Sequence, residues 1–163
     1  MARTVSIVTP GYNESGNVDE LCLRLGGVFG RFPHLKFEHI FIDNASTDDS
    51  HAKLRERAAR DPQFKVIINS RNFGHIRSPY YAILQATGDA VVLMASDLQD
   101  PPEMLCEFIE EWERGTPICI AVKKTSEENG LMFRLRKLYY RMLASLSESP
   151  QIENFTGFGL YDR

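Results

Sequence analysis

Five short apolar runs, rich in β-branched residues, alternate along the chain with segments of helical spacing, and this alternation constrains the fold more than any other feature. The runs lie at residues 5–9, 37–42, 65–68, 90–94 and 117–122. Strands this short and this apolar are typical of a parallel sheet that is covered on both faces and connected by right-handed crossovers. The sequence therefore predicts an α/β fold, a three-layer α/β/α sandwich with a mostly parallel, Rossmann-like sheet.

The segments between the runs carry the start and stop signals of helices. Two candidate N-cap residues precede each of the first two helices, namely Ser15 or Asn17 and Thr47 or Asp48. Pro101 and Pro102 are predicted to open the fourth helix, and Gly115 is predicted to end it. The third helix is predicted from about residue 75 to residue 87, although Pro79 falls inside it.

Length and composition fit one globular domain. The chain has 163 residues, of which 43% are hydrophobic and 25% are charged. Its formal net charge of −3 provides no broad basic surface, so nucleic acid is not an expected partner. No apolar run approaches the length that spans a bilayer, and we expect a soluble chain.

Three cysteines form an odd set inside apolar segments, namely Cys22, Cys106 and Cys119. They are predicted to be buried free thiols rather than a disulfide framework. This prediction favours a reducing compartment, the cytoplasm.

An amphipathic helix is predicted at residues 131–146, where apolar and aromatic positions alternate with basic ones. Two interpretations remain open: packing against the sheet, which is the commoner use of such a stripe, or a role at a membrane surface or partner. Its basic residues are either a solvated helix face or a surface for phosphate or membrane, and they are Arg134, Arg136, Lys137 and Arg141.

Polar residues follow the first four predicted strands, at residues 10–14, 43–49, 70–75 and 96–100. Ligands of open α/β sheets bind beyond the carboxyl ends of the strands, so these segments are predicted to line one binding edge. Tyr12 offers a flat face to a base, and the Asp43 carboxylate could accept from the N–H groups of uracil or guanine. The alternative for residues 43–46 is a turn that caps a helix. Gly74 permits close backbone approach, and donors to a diphosphate are offered by Arg71, His75 and Arg77.

Asp97 and Asp100 flank two residues at the end of a buried strand. Mg²⁺ or Mn²⁺ bound to substrate phosphates takes only one or two carboxylates from a protein, so these two side chains suit a metal site. The alternative is that Asp100 initiates the helix behind Pro101 and Pro102 while Asp97 lies in a turn.

Taken together, these segments resemble the family-2 glycosyltransferases of glycosyltransferase A fold, which are nucleotide-diphospho-sugar transferases. The likeness covers nearly the whole chain and is carried by residues 5–14 (VSIVTPGYNE), 41–48 (FIDNASTD), 72–75 (NFGH) and 88–90 (GDA). Residues 97–103 (DLQDPPE) are similar to the branch that moves sugars onto polyprenyl phosphates, such as dolichyl-phosphate mannosyltransferases and bacterial undecaprenyl-phosphate glycosyltransferases. Residues 155–163 (FTGFGLYDR) resemble that branch's acceptor-side segment.

The resemblance implies a role for each matching residue. The base and ribose of the nucleotide would be held by Pro10, Tyr12, Glu14 and Asp43, and the nucleotide would be supported by Asn72 and Gly74, with His75 of the same motif as a further nucleotide-binding residue. Asp97 would reach the Mg²⁺ or Mn²⁺ that bridges the diphosphate. Asp100 and Glu103 would lie beside the donor sugar as further catalytic residues.

Three single positions and one segment depart from the family pattern. Ala95 stands where the first aspartate of an Asp-x-Asp metal motif is usual, and Asn44 stands where an acidic residue is common. Gly157 stands where related enzymes often place an aspartate near the acceptor, and residues 76–79 replace small apolar helix formers. Asp97 is therefore expected to be the principal protein ligand of the metal.

The resemblance implies an inverting, metal-dependent hexosyltransferase in which residues 1–163 form one catalytic, donor-binding domain that ends before the C-terminal part of its relatives. The donor would be a UDP-sugar in preference to GDP-mannose, and the acceptor would be a polyprenyl phosphate or a glycan, as in bacterial cell-wall or polysaccharide biosynthesis. Such an enzyme is compatible with peripheral contact at the cytoplasmic face of a membrane and with assembly into a homo-oligomer. The alternative is a nucleotide-sugar-binding module without turnover. An unrelated dinucleotide-binding protein is disfavoured because no G-x-G-x-x-G follows the first strand.

Overall fold

The computed structural model describes residues 2–122 and 155–163, and the strands of these residues form one six-stranded sheet. The strands are β1 (Thr4–Gly11), β2 (Lys36–Asp43), β3 (Phe64–Ile68), β4 (Ala90–Leu93), β5 (Ile118–Val122) and β6 (Phe155–Asp162). The described helices are α1 (Val18–Arg31), α2 (Ser50–Arg60), α3 (Gly74–Gln85) and α4 (Leu105–Glu113), the last one preceded by a 3₁₀ turn (Pro102–Met104). The predicted α/β class with a mostly parallel sheet is confirmed.

The chain forms two compact units. The first unit, Met1–Ile120 with Gly157–Arg163, contains all four described helices and most of the sheet. Of the second unit, Ala121–Thr156, the structure describes residues 121–122 at the end of β5 and 155–156 at the start of β6. The predicted amphipathic helix at 131–146, with Arg134, Arg136, Lys137 and Arg141, lies outside the described residues.

The order of the strands creates a switch point next to β1. The sheet runs β3-β2-β1-β4-β6-β5, and β1, β2, β3 and β4 are mutually parallel. After β1 the chain builds β2 and β3 on one side and then returns to form β4 on the other side. The carboxyl ends of these four strands therefore share one edge, and a crevice opens there between β1 and β4.

Helices cover both faces of the sheet, as the sequence predicts. On one face Ala82 of α3 and Ala86, the residue after α3, are buried in a cluster with Val8, Ile40 and Val91. The other face carries α1, α2 and α4. There the rings of Phe29 in α1 and Phe37 in β2 stack at 4.2 Å, Leu54 of α2 is fully buried, and Phe108 of α4 lies 5.0 Å from Phe158 of β6. Each fully buried side chain of this size contributes roughly 1.5–3 kcal/mol, so packing on both faces stabilises the sheet.

β6 is an element that the sequence analysis did not predict as a strand. It runs antiparallel to β4, from Ala90 paired with Asp162 to Leu93 paired with Gly159. Glycine is disfavoured in strands, so residues 155–163 carry a weak strand signal. Gly159 has a packing role, because a Cβ there would lie 3.1 Å from the Cys119 carbonyl oxygen. Pairing with the neighbouring strands β4 and β5 therefore stabilises β6 although its own residues have low strand propensity.

The predicted cap of α1 is wrong in its chemistry. Asn17 occupies the N-cap position, but its side chain makes no cap hydrogen bond. Instead, Asn17 Nδ2 donates to Glu14 Oε2 at 2.6 Å. The other candidate, Ser15, donates its backbone N–H to Asp48 Oδ2 at 3.1 Å. The Asn17 side chain thus bonds within its own loop, and Ser15 joins this loop to the one after β2.

The predicted cap of α2 is wrong in position. The helix starts at Ser50 with Asp49 at its N-cap, and no side chain caps it there. Asp48 still satisfies one helical donor, because its Oδ1 accepts from Ser50 N at 3.0 Å. Thr47 donates its backbone N–H to Asn13 Oδ1 at 2.8 Å, so this residue also serves the contact between loops.

The predictions for the other two helices are confirmed. Helix α3 spans Gly74–Gln85 with Pro79 inside, where the missing N–H removes the helical partner of the His75 carbonyl. The 3₁₀ turn before α4 begins at Pro102, and Gly115 ends α4 with a φ of 101° and an N–H that donates to Trp112 O at 2.9 Å. None of the described helices is long and apolar enough to cross a membrane.

The cysteine prediction is also confirmed, since Cys22, Cys106 and Cys119 are buried and unbonded to one another. Burial raises the pKa of all three thiols, that of Cys22 to about 11. They stay protonated and act as small core side chains.

A buried carboxylate joins three strands and a turn at the amino edge of the sheet. Glu38 of β2 accepts from Ser6 of β1, from Lys65 of β3, and from both the N–H (2.9 Å) and the hydroxyl (3.1 Å) of Thr87. Burial tends to raise the Glu38 pKa, but the bonds from Lys65, Ser6 and Thr87 outweigh it and hold the pKa at about 2. Thr87 leads into Gly88, where a Cβ would lie 2.7 Å from Ser6 Oγ and 2.8 Å from Thr4 O.

We predict that Glu38→Gln lowers the free energy of unfolding at pH 7 by about 2–4 kcal/mol, because the charged acceptor of a buried network is lost. The folded pKa lies below the usual 4.5, so the carboxylate stabilises the fold above pH 4.5 and this contribution disappears as pH falls towards 2. Urea unfolding across pH should show a smaller acid-induced loss in the variant. Glu56→Gln removes an exposed ion pair with Arg60 and is expected to change stability by less than about 0.5 kcal/mol. Equal effects of the two substitutions contradict the role given to Glu38.

We predict that Gly88→Ala destabilises the protein by about 1–3 kcal/mol, because the added methyl group meets backbone atoms that cannot move aside. Gly27→Ala is the matched control. Gly27 lies inside α1 with open space around its Cα, so the same methyl group is expected to stabilise by about 0.5–1 kcal/mol. The two midpoints of thermal unfolding should move in opposite directions, and a shared direction would refute the packing argument.

Candidate active site

A cavity of about 430 Å³ opens at the carboxyl edge of the sheet, over the switch point between β1 and β4. Seven predicted site residues line it: Pro10, Tyr12, Glu14, Asn72, Gly74, His75 and Asp97. The lining also includes Gly11, Asn44, Ser78, Pro79, Ala95 and Ser96. Four of these additional residues lie in or beside the same polar segments, which is the sequence signal that could have found them, whereas Ser78 and Pro79 lie inside helix α3. The predicted Asp43, Asp100 and Glu103 are not in the lining.

Strained backbone marks three of the loops at this edge. Asn13 after β1, Ala45 after β2 and Leu98 after β4 have φ values of 59°, 65° and 58°. Residues other than glycine rarely adopt this left-handed conformation, which costs of order 1–3 kcal/mol per residue where it is held. Such residues cluster where a protein must present groups in a fixed geometry. Their location agrees with a binding site at this edge.

Asp43, the last residue of β2, binds the loop that follows it. Its side chain is buried, and its two oxygens accept from the Ser46 hydroxyl, the Ser46 N–H (2.8 Å) and His51 Nε2 (2.6 Å). Because an ionised carboxylate only accepts, the His51 Nε2 carries the hydrogen. Ser46 Oγ in turn accepts from Asn13 N at 2.8 Å. Asp43 thereby fixes the segment that carries Tyr12, and its direct contact with a base stays a prediction.

Asn44, the next residue, binds the loop after β3. Its Nδ2 donates to Asn72 Oδ1 (3.0 Å) and to the Gly74 carbonyl (3.2 Å), and its Oδ1 accepts from Phe73 N (2.9 Å) and Asn69 Nδ2 (3.1 Å). A backbone N–H can only donate and a carbonyl can only accept, so the amide orientation is fixed. An aspartate at this position would lack both donated bonds. Asn44 thus suits this loop in a way that the acidic residue common in the family could not.

The loop after β1 is also joined to helix α2. Glu14 donates its backbone N–H to Ser50 Oγ at 3.1 Å, and Lys53 Nζ donates to the Ser15 carbonyl at 2.8 Å. Together with the Asn13 contacts, these bonds hold the wall of the cavity that contains Tyr12 and Glu14. The Tyr12 side chain remains 46% exposed, so its ring is available to a ligand.

The segment after β4 forms the opposite part of the lining. Ser96 is buried and donates to the Pro10 carbonyl at 3.0 Å, which ties the β4 loop to the end of β1. The adjacent Gly11 admits no side chain, because a Cβ would lie 2.6 Å from the Phe41 ring. Asp97 is exposed, and its Oδ1 accepts from Gln99 N at 3.1 Å in a local turn.

The cavity offers a metal few protein ligands. Within residues 2–122 and 155–163, no group of three His, Cys, Asp or Glu side chains could hold an ion. The carboxylates in the cavity lining are those of Glu14 and Asp97. A Mg²⁺ or Mn²⁺ carried by substrate phosphates needs only one or two carboxylates, and this donor set fits such an ion but not a metal held by the protein alone.

Glu103 has a partner away from the cavity. Its carboxylate makes a two-point ion pair with Arg24 of α1, with Nε to Oε1 at 2.8 Å and a guanidinium N–H to Oε2 at 2.5 Å. The hydrogen bond from Arg24 lowers the Glu103 pKa to about 2. Glu103 therefore joins the turn before α4 to α1 as a permanent anion. The roles of Asp100 and Glu103 beside a donor sugar stay predictions.

Residues 6–162 match the family model described as glycosyl transferase family 2. The chain belongs to this family. It is 35% identical over 159 residues to YkcC, an uncharacterized glycosyltransferase of Bacillus subtilis, an alignment that covers 97% of this chain and 49% of that protein. It is 32% identical over 128 residues to an undecaprenyl-phosphate 4-deoxy-4-formamido-L-arabinose transferase of Pseudomonas syringae, covering 78% of this chain and 38% of the relative. The chain thus spans half or less of the length of these two relatives.

Solved structures support the fold. A mannosyltransferase from Pyrobaculum calidifontis in complex with GDP-Man and Mn²⁺ superposes with a TM-score of 0.65 at 19% identity, covering 100% of this chain and 45% of that one. A glucosyl-3-phosphoglycerate synthase from Mycobacterium tuberculosis in complex with UDP gives a TM-score of 0.60 at 18% identity, covering 98% and 57%. At these identities the likeness concerns the fold alone.

We predict that Asn44→Asp destabilises the protein by about 2–3 kcal/mol, because two donated bonds are lost and a charge is placed beside two acceptor oxygens. The control is the same chemical change at Asn72. The Asn72 Oδ1 only accepts, from Asn44 Nδ2 and Gly74 N, so an aspartate there retains both bonds. Urea unfolding at pH 7 should separate the two variants. Loss of equal size in both would show that the donor function of Asn44 is unimportant.

Proposed function

We propose that this chain binds a nucleoside-diphosphate sugar in the cavity at the carboxyl edge and transfers the sugar, with inversion, to a polyprenyl phosphate. The observation that carries the proposal is that Tyr12 and Asp97, from the loops after β1 and β4, line the same cavity at the switch point of the sheet. One supplies a face for a base and the other a carboxylate for a diphosphate-bound metal. We place a UDP-sugar first among the donors.

The remaining lining residues have matching tasks. Pro10 and Glu14 would hold the ribose on the β1 side, and Asn72, Gly74 and His75 would contact the nucleotide from the side of α3. Gly74 has a φ of 82° and open space at its Cα, so its backbone can lie against a ligand. Asp43 would act through Ser46 on the position of the Tyr12 loop, or bind the base after releasing a partner.

Asp97 would be the main protein ligand of a divalent metal carried by the donor, and that metal would supply stabilisation of the negative charge on the departing diphosphate. An acceptor oxygen attacks the anomeric carbon in line with the bond to the diphosphate. That bond breaks with its electron pair on the nucleotide, which inverts the anomeric centre. The protein's task is to hold donor and acceptor in this alignment.

A phosphate acceptor requires less proton transfer from this protein than a hydroxyl acceptor does. A sugar hydroxyl needs a general base with a pKa near neutrality, whereas a phosphate is already ionised. The Glu103 carboxylate, with a pKa of about 2 and an arginine partner, is poorly suited to accept a proton. The name of the Pseudomonas syringae relative, an undecaprenyl-phosphate sugar transferase, agrees with an acceptor of this class.

The second candidate function is nucleotide-sugar binding without turnover. It is favoured by Ala95, which lines the cavity where a second metal-binding aspartate is usual in the family.

Incubation of a UDP-sugar, Mn²⁺ and a polyprenyl phosphate with the protein separates the two candidate functions. Sugar transfer supports the enzyme, whereas donor binding with neither transfer nor hydrolysis supports the binding module.

We predict that Mn²⁺ tightens UDP binding in calorimetric titration. Asp97→Ala should reduce this gain in affinity by a factor of about ten or more, because the principal protein ligand of the metal is lost. Ala95→Asp should enlarge the gain by adding a second carboxylate. Asp19→Ala, a change at an exposed aspartate of α1 outside the cavity, should leave it unaltered. An unchanged Mn²⁺ response in Asp97→Ala would exclude the metal assignment, and tight GDP binding without a response to UDP would exclude the donor.

A further inference from the structure

Helix α3 presents an apolar and aromatic face to solvent. The side chains of Ile76, Tyr80, Tyr81 and Leu84 are 71%, 61%, 51% and 59% exposed. Their spacing of four, one and three residues places them on one side of the helix, and Arg77 lies within the same sector. The opposite side of α3 is buried against the sheet through Pro79 and Ala82. We refer to the five exposed residues as the α3 patch.

Apolar surface continues from the α3 patch into a groove on each side. One groove, of about 470 Å³, is lined on the β3 side by Ile67, Ile68, Phe73, Arg77 and Tyr81 among others. The other groove, of about 440 Å³, is lined on the β4 and β6 side by Tyr80, Leu84, Val91, Leu93 and Tyr161 among others. The patch is therefore wider than the helix. Contiguous exposed apolar surface of this kind marks an interaction site.

Positive charge accompanies this apolar surface. Helix α3 contains no acidic residue, whereas the whole chain has a net charge of −3. In the part of the chain that the structure describes, neither Arg71 nor Arg77 makes an ion pair, although Arg24, Arg57 and Arg60 do. The Arg71 guanidinium lies over the Phe73 ring at 4.3 Å. These two arginines lie near exposed tyrosines and are not neutralised by a carboxylate of the described residues. Such a surface is complementary to one that is both anionic and apolar.

We propose that the α3 patch docks on the surface of an anionic lipid bilayer. Tyrosine is suited to the boundary between headgroups and acyl chains, Ile76 and Leu84 can enter the apolar layer, and Arg77 can meet lipid phosphates. A second copy of the chain fits less well. In a twofold contact the patch would face itself, and Arg77 would meet another Arg77 with no carboxylate within the patch to pair with.

Docking through this patch has a geometric consequence for the cavity. Gly74 and His75 at the start of α3 line the cavity, and α3 has 12 residues, so the patch lies within about 18 Å of it. A chain held by α3 would open its cavity close to the lipid headgroups. This position suits a lipid phosphate acceptor, but the docking itself requires neither donor nor transfer.

The test is co-sedimentation of the full chain with vesicles of phosphatidylcholine, with or without phosphatidylglycerol, in the absence of nucleotide sugar. We expect binding to the anionic vesicles that weakens as salt is added. The double variant Tyr80→Ser, Leu84→Ser should bind at least about tenfold more weakly, and Arg77→Gln about fivefold more weakly. Leu23→Ser is the control, because Leu23 is 76% exposed on α1 in the opposite layer and should not affect binding.

Light scattering of the same proteins completes the test. Absence of parent binding to anionic vesicles, or equal binding by the parent and the double variant, overturns the proposal. A parent dimer that the double variant abolishes, without vesicle binding, assigns the patch to a second copy instead. Each variant should unfold at a temperature close to that of the parent protein. A loss of vesicle binding then comes from the substituted side chains and not from unfolding. Since no donor is present, the outcome is independent of whether the chain transfers sugar.

Discussion

The hydrogen bonds of two consecutive residues at the end of β2 hold the binding edge of this protein together. Asp43 reaches towards the loop after β1 through Ser46, and Asn44 reaches towards the loop after β3 through Asn72, Phe73 and Gly74. Strand β2 lies between β1 and β3, so neighbouring residues at its end can reach the loops of both flanking strands. The cavity walls on the side of Tyr12 and on the side of Gly74 are thereby fixed by a single dipeptide.

The different side chains of this dipeptide suit different partners. Asp43 meets a backbone N–H, a hydroxyl and an imidazole N–H, which are all donors, and a carboxylate can accept from all three. Asn44 meets two donors and two acceptors, and only an amide can satisfy both kinds. Buried hydrogen bonds of this number also offset the cost of order 1–3 kcal/mol for each left-handed residue in the adjacent loops. The polar groups of these loops are therefore occupied by one another.

The two edges of the sheet have separate tasks. At the amino edge, Glu38, Lys65, Ser6 and Thr87 form a buried network around a tight turn at Gly88. At the carboxyl edge, exposed groups such as Tyr12 and Asp97 remain available above the occupied ones. The outer face of α3 adds a third surface, in which apolar and cationic side chains remain in solvent. The stabilising network, the candidate binding site and the proposed docking surface thus lie on different parts of the described structure.

The sequence by itself determined the α/β class, the positions of five strands, the free cysteines and seven residues of the cavity lining. These features depend on local periodicity and on the rule that the carboxyl ends of parallel strands share an edge, both of which can be derived from a linear pattern. Only the tertiary structure decided that β6 inserts beside β4, that Asp43 is occupied by Ser46 and His51, and that Glu103 is paired with Arg24. Candidate cap residues instead form hydrogen bonds between the loops after β1 and β2, Ser15 with Asp48 and Thr47 with Asn13. The partners of β6 and Glu103 lie far along the chain, and no local pattern specifies which distant partner folding will bring within hydrogen-bonding distance. Ser46 and His51 lie only three and eight residues from Asp43, but the sequence does not show whether a polar group binds a ligand or a neighbouring protein group.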